Sequence, residues 1–130
     1  MTAALPWAQV LAVAGGAAAG ALLRWASALL FNHPGGDGMQ LGTLLVNCVG
    51  GLLIGIAMLW FQRWPNELMR LLLVTGFLGG LTTFSAFSGE SLALLQRGDW
   101  GWALAHTLAH VAGSLACAAL GFRIARTLFA

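Results

Sequence analysis

Lysine and tyrosine are absent from this chain of 130 residues, and only four side chains are acidic. Charged residues make up 8% of the sequence, too few to solvate the surface of a soluble domain of this size. The bases are six arginines, at 24, 63, 70, 97, 123 and 126. So scattered a set is not a nucleic-acid footprint. The two cysteines, Cys48 and Cys117, fall inside apolar segments, where they read as small packing residues and carry no redox information. A Ser-His-Asp order, a phosphate-binding glycine loop, a carboxylate pair and a cofactor fingerprint are all missing, so the chain does not read as an enzyme.

What is present is apolar sequence. Hydrophobic residues make up 59% of the chain, and mean hydropathy is +0.84. At roughly 20 residues per span, the length predicts an all-α integral membrane protein, a single domain over 1–130 with four transmembrane helices. The first span is expected from Trp7 to Phe31 and reads as a retained helix, since no basic stretch precedes it as in a cleaved signal. No lipidation signal is apparent. The breakers Asn32-His33-Pro34-Gly35-Gly36-Asp37-Gly38 follow. The second span is expected over Leu41 to Phe61, with Pro65 a stop and Asn66 the cap of the next helix. The third runs from Glu67 to Gln96, with a break expected around Gly79-Gly80; Arg97-Gly98-Asp99 is a turn, and the fourth span covers Trp100 to Leu120. All six tryptophans sit near span ends, where amphipathic rings prefer to lie. Gly16 with Gly20, Gly51 with Gly55, and Gly113 with Cys117 and Gly121 form small-residue faces suited to close helix packing.

Arg63, Arg70, Arg123 and Arg126 fall on the side of both termini, against Arg97 and a snorkelling Arg24 on the other. That bias favours cytoplasmic termini and is small enough to permit insertion in both directions.

Polar chemistry concentrates in TGFLGGLTTFSAFSGE, residues 75–90. Lipid does not tolerate such a run of hydroxyls unless protein or a wet path covers it. A helix break there frees carbonyls at one half-helix end and N–H groups at the other, the first suited to a cation and the second to an anion. Phe84 and Phe87 share one face of the downstream half. They read either as core or as positive ring edges for a small anion. Asn47, inside the second span, is either an anion donor or a helix–helix hydrogen bond. His106, His110 and Ser114 share a face of the last span. A helical H-x-x-x-H can hold zinc, but no further ligand is apparent nearby, which leaves a polar stripe along a pathway or interhelical bonds. Glu90 is a proton carrier, a vestibule charge or a buried hydrogen-bonded group.

These motifs resemble the small fluoride channels of the Fluc (CrcB) family. The resemblance covers essentially the whole chain, through GGAAAGALLRW (15–25), GTLLVNCVGG (42–51) and above all TGFLGGLTTFSAFSGE (75–90). It implies passive, fluoride-selective efflux across a bacterial inner membrane. It also implies an antiparallel, dual-topology homodimer in lipid with two fluoride pathways, each subunit carrying a third helix broken mid-membrane, and one structural sodium ion at the dimer centre. By that resemblance Gly79 and Thr82 match the backbone-carbonyl sodium ligands, and Phe84 and Phe87 the ring-edge phenylalanines. Asn47 and Ser85 match polar pore groups, and Ser114 part of the polar track. His106 stands where the family often has tyrosine, His110 where it often has a hydroxyl, and Ala86 at the second threonine of a T-F-S-T-F pattern. Two other classes compete. A proton-coupled exporter of cations or drugs would use Glu90, and a membrane scaffold would conduct nothing.

Overall fold

The computed structural model describes residues 6–35 and 38–129; Gly36 and Asp37 of the first expected turn lie outside them, as do residues 1–5 and 130. Four stretches are long and apolar enough to cross a membrane: Trp7–Phe31, Leu41–Arg63, Glu67–Gln96 and Trp100–Leu128. The first is helix α1 and the second helix α2 (Leu41–Arg63). The third is composite. It opens with α3 (Glu67–Arg70), widens into a π-helical segment (Leu71–Leu78), narrows to α4 (Gly79–Leu81), then resumes as α5 (Phe84–Gln96). Helix α6 (Trp100–Leu128) is the last.

The expected ends of the first and third spans coincide with the observed ones, while α6 runs about two turns past Leu120. The apolar run stops at the arginines, but the helix does not, because arginine is a good helix former. Asn66 caps α3 as expected, accepting a hydrogen bond from the Met69 amide at 3.0 Å. At the turn after α5, Gly98 adopts φ +79°. Its amide donates to the Leu95 carbonyl and the Asp99 amide to the Leu94 carbonyl, at 3.0 and 2.9 Å, a Schellman closure that needs a left-handed residue at Gly98. Asn32, beyond α1, closes the other tight connection: its Oδ1 accepts from the Gly42 amide at 2.7 Å and so supplies the cap that Gln40 does not give α2.

Packing follows the small residues. Helix α2 lies along α6, and α1 lies along the π segment and α4. A Cβ at Gly55 would land on the Ala118 carbonyl oxygen, and one at Gly121 on that of Leu52. Gly16 and Gly20 meet the Leu72 and Phe77 carbonyl oxygens in the same way. Where neighbouring lipid is as apolar as leucine, this backbone contact is what holds spans together. Gly80 also faces α1 closely, at the Ala17 carbonyl. That corrects the expected position of the break. Gly79 and Gly80 are helical, and the glycines there serve close approach. The extended residues are Thr82 (φ −81°, ψ 156°) and Thr83 (φ −149°, ψ 118°). The outer faces carry Leu, Trp and Val side chains left exposed, as lipid-facing surfaces require. The small buried core is Val46, Leu78 and Leu81.

Candidate functional site

The interruption at Thr82–Thr83 is an accounting problem in hydrogen bonds. In an unbroken helix the Thr83 amide would bond the Gly79 carbonyl, and the Phe84 amide the Gly80 carbonyl. Here the Thr83 amide donates to Asn47 Oδ1 at 2.8 Å, and Asn47 Nδ2 donates back to the Thr83 carbonyl at 3.0 Å. The side-chain amide thus pairs both polar groups of one peptide residue, as a neighbouring strand would. The Gly80 carbonyl is taken by Arg24, whose Nε donates to it at 2.9 Å. Thr82 keeps its ties to Leu78: its amide and its hydroxyl both donate to that carbonyl, at 3.0 and 2.9 Å. The Gly79 carbonyl loses its helical partner. Downstream, the Thr83 hydroxyl accepts from the Ala86 amide at 3.1 Å and caps α5.

Arg24 therefore does not snorkel to the interface. The sequence reading missed its role, because the partner is a backbone oxygen 56 residues away. Replacing it with methionine keeps the stem and leaves the Gly80 carbonyl unpaired beside the interruption. Arg24→Met is expected to cost about 1.5–3 kcal/mol, the range for a charge-assisted bond, read as a lower thermal midpoint in detergent.

An open groove of about 640 Å³ runs past this interruption. Asn47, Gly79, Thr82, Phe84, Phe87, His110 and Ser114 all line it, so seven of the sequence-selected residues meet at one surface. Ser85 and His106 do not line it. Ser85 stands to one side with its hydroxyl 3.3 Å from that of Thr83. His106 is completely buried and stacks behind Phe87 at a ring-centroid separation of 5.4 Å. Phe84 is 78% exposed in the single chain while Phe87 is 9% exposed, and their centroids lie 5.4 Å apart.

The two histidines have different chemistry. Asn47 Nδ2 lies 3.1 Å from His110 Nδ1. The amide orientation of Asn47 is fixed by Thr83, so Nδ2 is the donor and His110 Nδ1 must accept. A neutral ring that accepts at Nδ1 carries its hydrogen on Nε2. That Nε2 is the buried side-chain polar atom without a hydrogen-bond partner among the described residues. His110 thus holds one spare, neutral N–H donor, buried beneath the groove surface.

His106 belongs to a polar chain. Ser91 Oγ lies 2.9 Å from its Nδ1, and Glu90 Oε2 lies 3.0 Å from its Nε2. Thr43 donates its hydroxyl to Glu90 Oε1 at 2.5 Å, and Asn32 Nδ2 donates to Thr43 Oγ1 at 3.2 Å. Every donor can point toward Glu90, which is hydrogen-bonded through both oxygens and partly buried. Glu90, His106 and His110 also bring ligand-type atoms within 4.8 Å of one another, so a third ligand type does lie near the histidine pair. The Asn47 contact opposes chelation, because His110 Nε2 cannot offer a lone pair while Nδ1 accepts.

A helical bundle of four candidate spans, with one span interrupted beside a mainly apolar groove that carries a few polar groups and two phenylalanine rings, has the architecture of a small membrane protein suited to passing an ion. Residues 11–122 match the family described as CrcB-like protein, Camphor Resistance (CrcB). The chain is 52% identical over 124 residues to the fluoride-specific ion channel FluC of Aromatoleum aromaticum, covering 94% of both chains. It is 50% identical to the FluC of Pseudomonas aeruginosa, over 88% of this chain and 91% of the relative. Against the FluC of Nitrosomonas europaea it is 46% identical, over 84% and 87%. The chain belongs to the CrcB/FluC family of fluoride-specific ion channels.

Proposed function

We propose that this chain is a subunit of a passive, fluoride-selective channel that lets the ion leave the cytoplasm of a bacterium through the inner membrane. The observation that carries the reading is the meeting of Asn47, Phe84, Phe87, His110 and Ser114 along one groove beside an interrupted span. A small anion that sheds water needs replacement donors. Asn47 spends its two amide hydrogens on Thr83 and His110 and so holds that ring in place, while the Ser114 hydroxyl and the ring edges of Phe84 and Phe87 supply donor and weak positive contacts.

The groove also argues for a second copy. Phe84, largely bare in one chain, has to be covered by another surface to form a passage. The interruption frees the Gly79 carbonyl, and Thr82 stands beside it on the groove wall. Carbonyls at a half-helix end suit a hard cation, which would supply positive charge between anion paths and hold the interrupted spans. One chain offers too few oxygens to enclose it. An antiparallel homodimer, with the third helix of each subunit broken at mid-membrane, would double the set around a structural sodium ion and yield two pathways.

Purified protein in liposomes should release fluoride down its gradient and retain chloride, followed with ion-selective electrodes. Phe84→Ile removes the ring edge while preserving bulk, and is expected to slow fluoride by about tenfold or more, the scale of one lost 1.4 kcal/mol contact. Equal chloride release, or flux that requires a proton gradient and disappears in Glu90→Gln, would overturn the channel reading in favour of coupled export.

A further inference from the structure

At the end of the bundle that holds the α3 start, the C-termini of α2 and α6 converge. Arg63 donates to the Phe129 carbonyl, joining them. Trp60, Trp64 and Phe129 close into an aromatic cluster with ring centroids 4.7, 5.3 and 5.5 Å apart. Arg63 lies over the Trp64 ring at 5.4 Å, which orients its guanidinium. Beside the cluster is a hollow of about 400 Å³ lined by Leu59, Gln62, Arg63, Arg126 and Phe129. Arg126 makes no hydrogen bond or ion pair among the described residues. Glu67, the acid on this side, is engaged by Arg70 at 2.9 Å.

We propose that this hollow binds the phosphate of an anionic lipid headgroup. Two planar guanidinium forks and the Gln62 amide match phosphate oxygens, and among the described residues no carboxylate lines the hollow to oppose them. Leu59 and Phe129 make an apolar floor, useful to an acyl chain and useless to a free anion. The tryptophan pair sets the depth, since such rings settle at headgroup level. Juxtamembrane arginines attract anionic lipid in proportion to their number. The site lies away from the groove, so its occupancy is separable from conduction.

The test uses detergent-purified protein titrated with phosphatidylglycerol, phosphatidylcholine or inorganic phosphate, read by native mass spectrometry and thermal midpoint. Phosphatidylglycerol should stay bound and raise the midpoint. In Arg63→Gln/Arg126→Gln its affinity should fall by about tenfold or more, while Arg97→Gln, at the opposite end of the bundle, should bind as the parent does. Equal retention of phosphatidylcholine would overturn the proposal, as would undiminished phosphatidylglycerol binding in the double variant. Inorganic phosphate that matched the lipid in midpoint and competed it off would overturn the lipid as occupant and leave a free-anion site.

Discussion

Asn47→Asp should all but abolish fluoride efflux while the protein still inserts. The change is nearly isosteric, but the new side chain has no hydrogen to give the Thr83 carbonyl or His110 Nδ1, both partners of Asn47. It also fixes a negative charge on the groove wall. Two unit charges about 4 Å apart repel by about 4 kcal/mol at an effective dielectric of 20. At about 1.4 kcal/mol per factor of ten, that corresponds to a loss of several hundredfold in the occupancy an anion needs to pass. The Thr83 amide still finds a carboxylate oxygen, so α5 keeps its start. Efflux from liposomes, normalised to incorporated protein, checks the outcome. Flux within about threefold of the parent would show that ions pass elsewhere.

Gly55→Val is expected to have the largest structural effect. The added Cβ would overlap the Ala118 carbonyl oxygen and come within 2.8 Å of the Phe122 amide nitrogen. Both are backbone atoms, so no side chain can swing aside and the two helices must part. Overpacking ordinarily costs about 1–3 kcal/mol. The cost here should exceed that range, because α2 and α6 make the most extensive contact in the bundle. The expected result is little monodisperse protein in size-exclusion chromatography. Gly101→Ala is the matched control: a Cβ there meets nothing within 4 Å, and alanine suits helix α6 better than glycine by about 1 kcal/mol.

Much of the fold was legible because lipid imposes a simple code. Apolar runs of the right length become spans, and the ends of α1 and of the composite third span were readable to the residue. The extension of α6 is hidden because the arginines past Leu120 read as a stop. Glycine advertises flexibility and draws the expected break to Gly79-Gly80, whereas Gly80 is spent on contact with α1. What decides the break is a competing partner for the Thr83 amide, supplied by Asn47 from 36 residues away. The same holds for the link from Thr43 to Glu90, 47 residues apart. Local pattern shows which side chains need partners, and only the fold shows which partners they find. For Asn47 the interhelical hydrogen bond is the reading the structure shows, since Thr83 and His110 take both amide hydrogens.

The wide turn of Leu71–Leu78 carries a consequence for how this gene can vary. A π segment holds slack that an ordinary helix lacks, while the helix on either side keeps its phase. Loss of one codon within it could be absorbed by tightening to α geometry, leaving Gly80 against α1 and Thr83 against Asn47. The same lost codon in the middle of α2 would turn half of that helix by about 100° and carry Asn47 away from its partners or Gly55 off its seam. Among length changes that fall within the spans, those along this lineage should therefore cluster in the third, upstream of the threonines.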